Sequence, residues 1–235
     1  MMPILDRAAL GLAEHGAAFY SKLLSPIEIT GLQRLCDQII GRKAGVRIYA
    51  SDLITKLMAA DGEIGGLVAQ FLGPSARPVR AVMFDKSATA NWALSWHQDR
   101  TIAVHKQIET EGFGNWSTKS GCLHVEPPFH ITRQMITIRL HLDDVDPDNA
   151  PLLIAPRSHD MGRISADVIP HAVSKLGSFQ CLAEAGDVWL YSTGILHASD
   201  KAAHPRRRRV LQVDFSALDL PNGLDWLGLD DIAIA

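Results

Sequence analysis

Along the first quarter of the chain, apolar residues recur at the three- and four-residue spacing of a helix face. Ile27, Leu32, Leu35, Ile39 and Ile40 form one such stripe, opened by Ser25-Pro26, an N-cap followed by a proline at the first helical position. A second helix is predicted from Ser51 through Leu53, Ile54, Leu57 and Met58, and a third after Asp61 through Ile64, Leu67, Val68, Phe71 and Leu72, stopped by Gly73-Pro74. From Val79 the period shortens. Apolar runs separated by turn residues predict strands at 79–84, 92–97, 135–142, 151–155, 179–183, 187–191 and 209–215. Ile136, Ile138, Leu140 and Leu142 alternate with Thr137, Arg139, His141 and Asp143, so one set enters a core and the other faces solvent or a cavity. The fold class is therefore mainly β with flanking helices, packed outside a sandwich or barrel. No linker divides the chain, which reads as a single domain over 1–235: mainly helical support over 1–78, a β core over 79–216 and a C-terminal tail over 217–235. Leu224, Trp226, Leu227 and Leu229 of the tail pack either on the domain or on a second subunit, and the protein is expected to be a monomer or homodimer.

Composition narrows the partners. With 235 residues, 47% apolar and 21% charged, disorder is excluded. A formal charge of -3, with neither sign gathered into a long block, points to a small-molecule substrate, no nucleic acid and no membrane. Cys36, Cys122 and Cys181 are odd in number and widely spaced, which indicates neither a disulfide framework nor a thiolate zinc site and suits a reducing cytoplasmic setting. Met1 to Arg7 lacks the basic start and apolar run of an export signal, and no stretch approaches the roughly 18 apolar residues of a membrane span. Of ten histidines, five fall between His97 and His141, which directs attention to metal chemistry because His is the commonest metal ligand.

His97-Gln98-Asp99 ends an apolar run, and in extended chain residues two apart share a face, so His97 and Asp99 can grip one ion. The best third ligand is His197, which follows the strand-like Asp187 to Tyr191 and the turn Ser192-Thr193-Gly194. Two histidines and a carboxylate make the facial triad of non-heme Fe(II) oxygenases, with open positions for co-substrate and O2. Arg206 to Arg209 open the strand Val210 to Phe215, and alternation sends Arg206 and Arg208 to one face, where a guanidinium clamps a dicarboxylate. Gln98, between two ligands, is placed with Arg206 among the cofactor-binding candidates.

These residues resemble the phytanoyl-CoA dioxygenase (PhyH-like) branch of the Fe(II)/2-oxoglutarate-dependent oxygenases from about Val79 to Phe215. The resemblance rests on Trp96-His97-Gln98-Asp99, on Asp148-Asn149-Ala150-Pro151-Leu152 with Ala155-Pro156-Arg157-Ser158-His159, on Gly186-Asp187-Val188, and on His197-Ala198-Ser199 with an arginine eleven residues beyond the histidine. Ala150 and Arg157 stand where the family usually has glycine. The resemblance implies a double-stranded β-helix (jelly-roll) core, iron held by His97, Asp99 and His197, and Arg208, assisted by Ser199, on the distal carboxylate of 2-oxoglutarate. It implies hydroxylation of a C–H bond with decarboxylation of 2-oxoglutarate to succinate, and Asp99 speaks against halogenation because it fills the position a halide would take.

Arg139, His141, His124 and Trp116 are the substrate-site candidates, with His105 and Glu126 nearby, and Arg139 would suit a carboxylate substrate. The glycine-bearing stretch Val104 to Pro128 reads as a long loop, either a lid with Phe113 and Trp116 on its underside or a loop that those rings pin to the barrel. The alternatives to an oxygenase are a non-catalytic or a hydrolytic cupin-like metal-binding protein, neither of which needs Arg208.

Overall fold

The computed structural model describes residues 6–41 and 43–229, so the reading of Met1 to Leu5 and the last residues of the tail, 230–235, lie outside it. The three expected helices are α2 (Pro26–Ile39), α3 (Asp52–Met58) and α4 (Glu63–Leu72), preceded by a single turn, α1 (Leu12–His15). Ser25 caps α2 in a reciprocal capping box with Glu28, and Ser51 caps α3 through its hydroxyl. Thirteen strands follow or interleave among the described residues: β1 (Ala17–Tyr20), β2 (Gly45–Arg47), β3 (Arg77–Lys86), β4 (Leu94–His97), β5 (Ile102–Val104), β6 (Gly114–Lys119), β7 (Cys122–Glu126), β8 (Ile136–His141), β9 (Leu152–Ile154), β10 (Phe179–Cys181), β11 (Val188–Ser192), β12 (His197–Ser199) and β13 (Arg208–Ser216). Two further short helices, α5 (Phe129–Arg133) and α6 (Ile169–Leu176), lie between strands.

The strands form an antiparallel six-stranded sheet, β1-β11-β8-β13-β3-β2, and a four-stranded sheet, β10-β9-β12-β4. This is the expected jelly roll, with the first two strands of the large sheet's edges drawn from the helical quarter of the sequence. On the outer face of the large sheet, Ile136, Ile138, Leu140, Val188, Leu190, Leu211 and Val213 join Leu32, Ile54, Leu57, Ile64 and Val68 of the helices in the main core. Each of these side chains contributes about 1.5–3 kcal/mol by leaving water. A second apolar cluster, with Leu152, Ile154, Cys181, Trp189 and Tyr191, ties the two sheets together at one end. The remaining space between the sheets is lined by charged and apolar side chains together.

The stretch after Val104 is a correction to the loop reading. It folds as a third antiparallel sheet, β5-β7-β6, and Phe113 and Trp116 pack with Val79, Ile102, Val104, Val125 and Trp226. The tail lies on the same chain: Leu224, Trp226, Leu227 and Leu229 are buried, and Trp226 bridges Val104. No helix among the described residues is long and apolar enough to cross a membrane.

Candidate metal centre

β4 and β12 are antiparallel neighbours, and their pairing sets His97 opposite His197, with ring centroids 4.3 Å apart. Asp99 follows β4 two residues on, as the alternation of extended chain requires. One ligand atom from each of the three residues lies within 4.8 Å of the others. Each imidazole is oriented by its own strand: His97 Nδ1 bonds Ser95 O at 2.8 Å and His197 Nδ1 bonds Ile195 O at 3.0 Å. Because a carbonyl only accepts, each Nδ1 carries a proton, and Nε2 is the ring atom left to coordinate. Burial lowers the His197 pKa to about 4 against the opposing pull of Asp99, so this ring is neutral at ordinary pH. Two imidazoles and a carboxylate fit a divalent transition metal.

Asp99 is itself held. Its Oδ2 lies 3.4 Å from Arg80 Nη2, while Oδ1 faces His97 Nε2 at 3.9 Å. Arg80 also donates from Nε to Asp214 Oδ2 at 2.7 Å, and Asp214 Oδ1 accepts from the Thr137 hydroxyl at 2.9 Å. Burial raises the Asp99 carboxyl's pKa, but Arg80 and the two histidines outweigh it, and the group titrates below the ordinary carboxylate range. For Asp214 burial prevails over Arg80 and the pKa is raised.

Strand register lays out the inner face of the large sheet as a series of rungs. Tyr191, Thr137, Asp214 and Arg80 share the rung beside Asp99; Trp189, Arg139, Gln212 and Val82 share the next. His141, Val210 and Phe84 follow, and Arg208 with Lys86 closes the series. A cavity of about 170 Å³ runs along these rungs, lined by all three candidate ligands together with Arg139, Ser199, Arg208 and Gln212. Arg208 is 2% exposed and bonds Ala150 O at 2.6 Å, a carbonyl that also accepts from the Ser199 hydroxyl at 3.3 Å. Burial and the charge of Arg139 lower the pKa of Arg208, and burial with Arg208 and Arg139 lowers that of Lys86 to about 8. Lys86 donates to Asp200 O at 2.7 Å and to Ser199 Oγ at 3.3 Å, whereas Arg208 has no acidic partner among the described residues.

A second cavity of about 230 Å³ meets the first at Asp99, which lines both, and is walled by Arg100, Phe113, Asn115, Glu126, Phe129 and Arg163. Glu126 is paired with Arg163 at 2.8 Å and with Asn115 at 2.7 Å.

Several candidates from the sequence stand apart. Gln98 turns away from the ligands and ties Gly162 O, Gly194 O and Ile164 N together. Arg206 is ion-paired with Asp146; β13 begins only at Arg208, so the alternation expected to carry Arg206 inward does not extend to it. His124 and Trp116 belong to the third sheet, His124 bonding Cys122 O at 3.0 Å, and neither lines either cavity. Arg139 does reach a cavity, but the one that holds Arg208, and His141 is fully buried beside those two arginines, which together with burial keep it neutral. Arg80, Lys86, Gln212, Asp214 and Arg100 escaped the sequence reading. A usable signal existed for Arg80 and Lys86, which stand an even number of positions apart on a mostly apolar strand, so alternation aims both at one face.

A jelly roll that brings two histidines and an aspartate to one point between its sheets, beside a buried arginine, defines a class of mononuclear metal proteins. The family model of phytanoyl-CoA dioxygenase (PhyH) matches residues 12–210, and the chain belongs to that family. Among solved structures, it is similar to the non-heme alpha ketoglutarate dependent epimerase SnoN from nogalamycin biosynthesis, at 14% identity and a TM-score of 0.61, over 92% of this chain and 87% of that one. It is similar to AviO1 from Streptomyces viridochromogenes Tue57 at 18% identity and a TM-score of 0.63, over 94% and 98% of the two chains. HygX from Streptomyces hygroscopicus, with nickel and 2-oxoglutarate bound, matches at 13% identity and a TM-score of 0.60, over 87% and 83%. No curated protein matches the sequence.

Proposed function

We propose that this protein is an Fe(II)/2-oxoglutarate-dependent oxygenase that hydroxylates a C–H bond of a small molecule in the cytoplasm. The observation that carries the reading is the union, in one cavity, of three ligands with free coordinating atoms and a buried arginine that has no carboxylate partner among the described residues. His97 and His197 would hold iron through Nε2 and Asp99 through the oxygen not engaged by Arg80. Arg208, steadied by Ala150 O and next to Ser199, would hold the distal carboxylate of 2-oxoglutarate. When bound, iron with 2-oxoglutarate and O2 supplies the oxidant for the C–H bond, the co-substrate leaving as succinate and CO2. Phe84, Trp92, Leu94 and Leu152 line the cavity with apolar surface and limit water.

The first cavity is small enough that one co-substrate occupies it, which leaves the second, across Asp99, for the substrate. Its mixture of Arg100, Glu126, Asn115 and two phenylalanines suits a polar molecule with some apolar surface. HygX, one of the similar structures, has been solved with hygromycin B bound as well as nickel and 2-oxoglutarate. The test is anaerobic titration of metal-free protein with Fe(II) and then 2-oxoglutarate, followed by admission of O2. The expected result is a weak visible charge-transfer band that decays as succinate forms. Arg208→Ala should abolish the band while retaining metal, and Asp99→Ala should lose both. Iron binding without the band would favour the hydrolytic or non-catalytic reading instead.

A further inference from the structure

The first cavity carries more positive charge than one distal carboxylate calls for. Arg80 is answered by Asp99 and Asp214, but among the described residues Arg139 and Arg208, which line the same cavity, have no acidic partner at ion-pair distance. Arg139 gives one N–H to Gln212 Oε1 at 2.8 Å, and its buried Nε has no partner. Neither ring nitrogen of His141 has one, nor does Nε of Arg208. Side chains that are buried and polar are normally satisfied, so orphaned atoms on three neighbouring residues mark a place where a ligand completes the bonding.

Register fixes where along the cavity each guanidinium starts. Arg139 shares a rung with Gln212, one step from the Arg80–Asp214 rung that touches Asp99, whereas Arg208 starts two steps further out. Two steps are about 13 Å of strand. The arginines are therefore staggered between the metal ligands and the far end, and Arg139 is absent from the walls of the second cavity. We infer that Arg139 is a second anion-binding residue of the co-substrate cavity, taking the metal-side carboxylate of a 2-oxo dicarboxylic acid while Arg208 takes the distal one. This rests on the reading that the cavity holds a 2-oxo acid, and it removes Arg139 from the residues that select the substrate.

The test is calorimetric, on the Ni(II)-loaded protein, with 2-oxoglutarate and with 2-oxovalerate, which keeps the oxo acid and lacks the distal carboxylate. Arg208→Leu should weaken 2-oxoglutarate and leave 2-oxovalerate unchanged. Arg139→Leu should weaken both, by about 10- to 100-fold, the effect of losing a hydrogen-bonded charge partner. Arg139→Gln, which retains a hydrogen-bonding end for Gln212 without the charge, should behave as Arg139→Leu does. Without ligand, Arg139→Leu should melt no lower than the wild type, because it removes an unpaired buried charge. The inference is overturned if Arg139→Leu leaves both affinities within about twofold, if it weakens 2-oxoglutarate alone, if Arg139→Gln restores binding, or if Arg139→Leu melts several degrees lower, the mark of a structural role. A wild-type protein that binds nickel but neither acid would instead remove the oxygenase reading on which the inference stands.

Discussion

Arg80 divides the labour of a single carboxylate. By engaging Asp99 Oδ2 it leaves Oδ1 turned toward His97, so the ligand is poised to give one oxygen to an ion, and the same guanidinium neutralises Asp214. Arg80→Leu should therefore do two things. It strands Asp214 as a buried carboxylate without a cation, at a cost of about 3–5 kcal/mol in urea unfolding, and it weakens metal binding about 10- to 100-fold. Adding Asp214→Asn should recover most of the stability and little of the metal affinity, a separation that calorimetry with Ni(II) would read directly. At this scale the sequence pointed to the candidate ligands and missed the residues that surround them. His97, Asp99 and His197 were legible because two sit at strand spacing and the third ends a recognisable strand-turn. Arg80 and Asp214 meet only through the register of β3 with β13, 134 positions apart, and nothing local announces that pairing.

Among the elements, α2 and α3 were read almost to the residue, because Ser25 and Ser51 are side-chain caps whose chemistry is local, whereas the short α1, α5 and α6 were not anticipated. The third sheet was not. β6 is largely exposed and its pairing with β7 shifts register between Gly114 and Ser117, so the alternation that betrays a strand is broken where it would have been needed. The two turns in which this chain lacks the family's usual glycines retain glycine's backbone: φ is 53° at Ala150 and 71° at Arg157. An L residue there costs about 1–2 kcal/mol. Ala150→Gly is thus expected to raise unfolding free energy by about 1 kcal/mol, with affinity for 2-oxoglutarate unchanged, since Arg208 is anchored by a backbone carbonyl. Arg157→Gly should gain less, because it gives up an ion pair with Glu14.

Over the whole molecule, helices and the large sheet form an apolar slab, and the chemistry is confined to the opposite face of that sheet. That division follows from period-two patterning and was legible; the placement of two cavities on either side of Asp99 depends on the third sheet, and was not. One asymmetry of the small sheet has a mechanical meaning. β12, with His197, is paired on both sides, whereas β4, with His97 and Asp99 just beyond it, is an edge strand, and the His97 side chain is 31% exposed against a buried His197. Edge strands fray, so two of the three ligands ride on the part of the sheet most ready to peel away. A bound ion would rivet β4 to β12. Amide exchange in residues 94–97 should accordingly be fast in metal-free protein and slow markedly on addition of Ni(II), with the amides of β8 and β13 unaltered. Loss of the ion would then proceed by unzipping one margin of the barrel, which lets a chelator strip the protein without melting it.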